Sequence, residues 1–411
     1  MPQRPSRTGT PETASPGRRA FIARCTVAGL APWATMSGWS APARPDGQRL
    51  VVVLLRGGLD GLAAVQAPGD PAFADARGAL AVTASPVLPL DGFFALHPSL
   101  AHVHTMFQAG EALVMHATGL PYRERSHFDA QQVLESGGSR PYELSTGWLA
   151  RALSTEQRRA MAMSTAVPLL LRGPGLTDTW APSALPEPSP DLVSRLAQLY
   201  QRDPELARAL SRARGLREEP LMASMGEPRS PAAGRQGIIE LFRKAAEFAA
   251  QPAGPQALVL EMGGWDSHAG QASLQGGLGG NLRVLDAGLQ ALKEGLHSGP
   301  LGADTWRRTT VLVVTEFGRE VAINGTQGTD HGTGSAAFLL GGAVRGGKVM
   351  ADWPGLGKAQ RHEGRDLRIT LDIRAAMKGL LAQQFGLSRQ RLDNEVFPGS
   401  AAVAPMDLLR G

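Results

Sequence analysis

Cysteine is nearly missing from this 411-residue chain: it occurs once, at Cys25. Past that point neither a disulfide framework nor a thiol nucleophile is available. Long apolar runs are missing too, and none approaches the roughly 20 residues that a membrane-spanning helix needs. Nor does one sign of charge dominate the body of the chain. The formal charge is +5, but five of the 42 basic side chains and only one of the 37 acidic ones lie in residues 1–43. The remainder is close to balanced, which argues against a nucleic-acid partner. There is no internal repeat. What the chain has in quantity is Gly (50) and Pro (30), within an ordinary hydrophobic fraction of 43%. This is a loop-rich globular protein, long enough for one large α/β core or two smaller domains.

The basic leader has an order of its own. Arg18 and Arg19 precede a mildly apolar stretch, residues 27–39, and Ala41-Pro42-Ala43 has the small-x-small form of a signal-peptidase site. Residues 1–43 therefore look like a twin-arginine export signal, with Gly17 in place of the usual hydroxyl residue and Arg24 inside the apolar region. The translocase that reads such signals moves folded proteins, so the expected destination is the periplasm or the exterior. A disordered basic tail is the alternative.

In the body, apolar runs alternate with polar loops. Residues 50–55 (LVVVLL), 112–116, 167–171, 257–260, 311–314 and 336–340 have the length and composition of buried strands. Helices are expected from His97-Pro98 to Gly110, from residue 146, over 238–248, over 282–296 with its Leu stripe, and after a Thr370 cap. Residues 174–234 shift toward Pro, Arg, Ala and Glu, with amphipathic helices at 191–199 and 204–216, and suggest a cap or insertion. The order of strand, loop and helix predicts a mostly parallel sheet covered on both faces, a three-layer α/β/α sandwich.

Chemistry gathers where the strands end, which is where open α/β sheets bind ligands. After the first strand, Arg56-Gly57-Gly58-Leu59-Asp60-Gly61 places Asp60 at the strand mouth, where it is equally a turn residue. Ser126 followed by Asp129 approximates a capping box, and the same hydroxyl at a helix N-terminus sits well for nucleophilic attack. Asp266 and His268, two apart in a glycine-rich loop, are either a metal-binding pair or part of a solvated loop. Residues 309–342 carry Glu316, Phe317 and Arg319 at the end of one strand, then Asp330 and His331 before the next. His102 and His104 fall off their helix's apolar stripe and are expected at the surface.

Several of these segments resemble one exported family, the domain-of-unknown-function-1501 family. They are LRGGLDGL at 55–62, RSHFDAQ at 125–131, TGWLAR at 146–151, GGWDSHAGQ at 263–271, TEFGR at 315–319, GTDHG at 328–332 and GGAVRGGKV at 341–349. That family is in turn similar to the alkaline-phosphatase-like superfamily of sulfatases and phosphatases. The resemblance implies that Asp60, Ser126, Asp266 with His268, and His331 follow the superfamily's order of site residues. It also implies that Glu316-Phe317 replaces an Asp-His pair, so that a second metal would lack its imidazole. The expected site is thus a single divalent metal, zinc first with manganese or iron as alternatives. Asp266, His268 and His331 would hold it, assisted by Glu316 or Asp330, with Asp60 nearby. Ser126 would be the nucleophile, and Arg56 or Arg319 the clamp for a small phosphate or sulfate ester. The alternative is a non-catalytic binding or assembly protein on a degenerate hydrolase scaffold.

Overall fold

Strand β1 (Arg49–Leu55) is buried at all seven positions, and its side chains alternate between two hydrophobic cores. Val51, Val53 and Leu55 join one core with Phe242, Leu285 and Leu289. Leu50, Val52 and Leu54 join the other with Leu149, Met377 and Leu380. A strand with both faces covered cannot alternate polar and apolar residues, which is why LVVVLL is unbroken. The computed structural model describes residues 47–81, 87–154, 158–182, 188–218, 234–272, 274 and 276–410. The twin-arginine motif, Cys25 and the Ala41–Ala43 site lie outside them.

After β1 come three short strands, β2 (Val65–Gln66), β3 (Leu88–Pro89) and β4 (Ala95–Leu96), which form a small antiparallel sheet. The main strands follow: β5 (Ala112–Gly119), β6 (Arg159–Ala162), β7 (Leu176–Thr179), β8 (Ala257–Met262), β9 (Thr309–Thr315), β10 (Ser335–Leu340), β11 (Lys348–Met350) and β12 (Leu371–Asp372). The main sheet has nine strands in the order β11-β5-β10-β9-β1-β8-β6-β7, with β12 also pairing with β5. All pairings in it are parallel except those of β10, which runs against both β9 and β5. The long helices Arg235–Ala249 and Gly277–Ser298 contribute to the first core. Trp148–Leu153 and Ile373–Phe385 contribute to the second. The fold is the expected α/β/α sandwich with a mostly parallel central sheet.

Three local expectations need correction. Residues 167–171 are not a strand; Leu169–Leu171 is a single 3-10 turn with all three leucines buried. Three adjacent leucines fill a core in either conformation, so composition could not separate the two. The strands beside that turn are β6 and β7; RAMA has no β-branched residue, and LTDT is short and mostly polar. Because β7 is the sheet's edge strand, the surface excursion begins only after Thr179. Its helices, Pro190–Tyr200 and Pro204–Glu218, fall where they were expected, and the first buries no residue. Lastly, the helix Ile373–Phe385 is capped by the Asp372 side chain, which accepts from the Arg374 N–H, and not by Thr370.

Candidate metal centre

Residues from four chain segments meet beyond the carboxyl ends of the parallel strands. His127 opens the helix His127–Ser136 that follows β5. Asp266 and His268 follow β8, Glu316 to Arg319 follow β9, and His331 precedes β10. Because β10 is antiparallel, its start lies at the same edge as its neighbours' ends. The backbone fixes the approach: Gly318 N donates to Thr333 O at 2.9 Å and Gly332 N to Gly318 O at 2.9 Å. A β-carbon on Gly332 would lie 2.4 Å from the Arg319 carbonyl, so only glycine permits this contact.

Asp266 is the hub. Its Oδ1 lies 3.0 Å from His268 Nε2 and 3.1 Å from His331 Nε2, and its Oδ2 lies 3.5 Å from His127 Nε2. The Nε2 of His331 is also 3.1 Å from the Nε2 of His127 and 3.1 Å from that of His268. Ligand atoms of His127, Asp266 and His331 all fall within 4.8 Å of one another.

The opposite nitrogen of each imidazole is tied to an oxygen. His127 Nδ1 donates to Glu316 Oε1 at 2.9 Å, His268 Nδ1 to Asp330 Oδ1 at 3.0 Å, and His331 Nδ1 to the Arg125 carbonyl at 3.1 Å. Those oxygens accept, so Nδ1 is the donor in each ring, and a neutral ring turns its Nε2 lone pair inward. Neutral rings and a carboxylate so placed would repel one another unless a proton or a metal cation lay among them. The donor set, imidazole nitrogens with one carboxylate, fits zinc, manganese or iron. In this arrangement His127, Asp266 and His331 would hold the ion, with His268 beside them.

Several residues expected to touch the metal stand one step behind it. Glu316 is fully buried. Burial opposes its charge, but hydrogen bonds from His127, Gln131 and the Gly57 N–H (2.8 Å) hold its pKa below the usual carboxylate range. The same bond raises the His127 pKa. Asp330 likewise backs His268, its pKa lowered by bonds from Asn324 and His268. Arg319 is buried beneath Asp266, 2.5 Å from its Oδ1, with other bonds to Thr329. That contact, working against burial, lowers the Asp266 pKa. Burial first, and then the charges of His127 and Arg319, lower that of His331.

Two further expectations are changed by the structure. Asp60 does not join the cluster: it is 1% exposed, pairs with the equally buried Arg77 at 2.5 Å, and accepts from Gln271 and the Ala63 N–H. It is the turn residue of the alternative reading. Arg56 is held between Glu135 (2.7 Å) and Glu261 (2.9 Å), which together raise its pKa against the opposing effect of burial. Neither Arg56 nor Arg319 is therefore free of a carboxylate. Ser126 is the N-cap of its helix, but its side chain makes no capping bond. Phe317, expected where the superfamily has a ligand, stacks its ring 4.7 Å from that of His127 and 5.2 Å from that of His331.

His127 joins the cluster although little in the sequence marks it, because it follows a candidate hydroxyl and a histidine at a helix start usually lies on the surface. The usable signal was its place after a buried strand in RSHFDAQ, at the same edge as the Asp266 and His331 loops. His102 and His104 are on the surface as expected; His102 pairs with Asp286 at 2.7 Å and is half exposed.

Fold and cluster together define an α/β protein with a histidine–aspartate cluster at the carboxyl edge of its sheet that could hold a metal ion. A sequence model of the family described as "Protein of unknown function (DUF1501)" matches residues 48–396, and the chain belongs to that family. No curated protein matches it. Similar solved structures include a Bacteroides thetaiotaomicron sulfatase from a glycosaminoglycan-metabolism locus, at 9% identity over 89% of this chain and 79% of that one, with a TM-score of 0.40. A Vibrio parahaemolyticus protein in the alkaline phosphatase superfamily shares 10% identity over 77% of this chain and 65% of that one, with a TM-score of 0.37. The C-terminal periplasmic domain of Escherichia coli EcEptC, in complex with Zn, shares 9% over 76% and 77%, with a TM-score of 0.36. The chain spans just under two thirds of the length of several structures that it matches. Among the described residues no helix is long and apolar enough to cross a membrane.

Proposed function

We propose that this protein is an exported hydrolase of phosphate or sulfate esters, working through a single divalent metal, with zinc the first candidate. One observation carries the metal: three imidazoles, each protonated on Nδ1 by its bond to an oxygen, turn their Nε2 atoms toward Asp266 and one another. Bound there, a divalent ion would polarise an ester oxygen and lower the pKa of the attacking oxygen. The chain's own groups have distinct parts. Arg319 fixes Asp266, Glu316 fixes His127, and Asp330 fixes His268. Ser126 precedes His127 at the helix N-terminus, and its hydroxyl, which makes no capping bond, would attack or orient a water. Phe317 forms an apolar wall that fits one metal in place of two.

The test is metal analysis of purified protein beside an ester screen. Near-stoichiometric metal that is lost in Asp266→Ala and His331→Ala, with metal-dependent ester hydrolysis, is the expected result. Protein without metal, or variants with unchanged content, would sink the proposal. Export through the twin-arginine translocase is tested separately by fractionating cells that carry Arg18→Lys and Arg19→Lys together; unchanged export would exclude that route.

A second reading, a binding or assembly protein without catalysis, draws support from the guanidinium groups. Both arginines that would clamp an anion are already paired with carboxylates. Metal-loaded protein inert toward every ester would favour it.

A further inference from the structure

Beside the metal centre lies a cleft of about 450 Å³ whose wall includes the outer side of the helix His127–Ser136. The two sites share structure. Gln131 lines the cleft and also donates to Glu316, the carboxylate behind His127, at 3.2 Å. Arg56 lines it too, and the next residue, Gly57, donates its N–H to the same Glu316 oxygen. A substrate with its ester at the metal would therefore have its body within reach of this cleft.

The chemistry of the wall is specific. Its charges cancel: Arg56 and Arg172 are set against Glu135 and Glu261, and Arg56 is bonded to both carboxylates. Gln132 lines the cleft as well, and its Oε1, buried behind the wall, has no hydrogen-bond partner among the described residues. Phe128 and Tyr142 line the cleft yet are 79% and 67% exposed, so neither ring serves the core. A single exposed ring needs no explanation. Two on one polar, charge-balanced cleft beside a metal cluster do.

We propose that this cleft binds the neutral, polyhydroxylated ring of a saccharide, so that the ester cleaved at the metal is a sugar ester. An anion would meet two carboxylates there and an Arg56 guanidinium already bonded to both, with Arg172, which donates to the Val167 carbonyl, as the remaining cation. A saccharide presents C–H faces to aromatic rings and hydroxyls that both donate and accept. This deepens the hydrolytic reading of the metal centre and rests on it for the ester; the binding itself is independent of turnover.

The test uses the full chain loaded with zinc, titrated with maltose, cellobiose and di-N-acetylchitobiose, with adenosine as a rival ring ligand. Saturation-transfer NMR detects binding and calorimetry gives Kd. At least one disaccharide should bind, and Phe128→Ala and Gln132→Leu should each weaken it about tenfold, the scale of one lost aromatic or buried polar contact. Metal content and melting temperature should stay unchanged. The inference is overturned if no disaccharide binds, if binding survives Phe128→Ala unchanged, or if adenosine binds where the saccharides do not. Saccharide binding without hydrolysis of any ester would remove the hydrolytic reading and leave the cleft. Hydrolysis of small esters without saccharide binding would do the reverse.

Discussion

Glu316 Oε1 lies 2.9 Å from Nδ1 of His127, so a fully buried carboxylate grips the one imidazole of the cluster that starts a helix. The bond fixes the tautomer and aims Nε2 at Asp266. Glu316 would thus act through the histidine and not as a metal ligand.

Glu316→Gln should therefore leave metal stoichiometry measurable but lower affinity by about 10–100-fold, the usual cost of losing such a supporting group. Chelator competition against the unaltered protein reads this directly. An affinity loss as large as that of His331→Ala would show instead that Glu316 is itself a ligand.

Asp60→Ala separates folding from metal binding. Removing one partner of the buried Asp60–Arg77 pair strands a guanidinium that is 0% exposed, at a cost of about 3–5 kcal/mol. Urea melts should show that loss, while metal per folded molecule holds constant. Asp266→Ala should lose the metal, and because it too strands a buried guanidinium, that of Arg319, metal content and not stability separates the two variants. Metal loss in Asp60→Ala without destabilisation would restore Asp60 to the site.

Acid should weaken the fold well above the range where carboxylates titrate. Burial pushes both His97 and His116 down to about 4. His116 is locked neutral, with Nε2 bonded to the Val65 carbonyl at 2.8 Å and Nδ1 accepting from the Ala117 N–H at 2.7 Å. The unfolded chain binds these protons more readily, so the stability is complete above about pH 6.5 and is lost as pH falls toward 4. Each residue contributes at most roughly 3 kcal/mol of that loss. His127, with its raised pKa, works in the opposite direction. Denaturant melts of metal-free protein between pH 7.5 and 4 give the slope, and a flat profile would contradict the burial argument.

Gly58→Ala should disturb the metal centre without touching a ligand. Gly58 has φ +76°, and a β-carbon there would lie 2.7 Å from the Phe317 ring, which stacks on His127 and His331. We expect a loss of about 1–3 kcal/mol from the strained backbone and the displaced ring, with weakened metal affinity. Calorimetric melting and chelator competition test the two parts. Unchanged affinity would mean that Phe317 does not shape the site.

The strands with two buried faces were legible because burial on both sides forces an unbroken apolar run, as in LVVVLL of β1 and VLVV of β9. β6 and β7 were not, because RAMA and LTDT sit toward the sheet's edge and owe their conformation to neighbours. In the site, residue types were legible and their order of contact was not. Asp266, His268 and His331 converge, whereas Glu316, Asp330 and Arg319 stand behind them, since sequence cannot say which of two adjacent polar groups points inward. Asp60 was ambiguous because its partner, Arg77, is set by tertiary packing. His127 was hidden by the helix-start pattern that surrounds it.

The reversed direction of β10 has a mechanical consequence. Residues 316–334 leave from one strand and return along the strand hydrogen-bonded to it, and they are stitched at Gly318–Thr333 and Gly332–Gly318 on the way. The span is thus pinned to the sheet close to both of its ends, and Asp266, His268 and Asp330, each about half exposed, form the rim that solvent reaches.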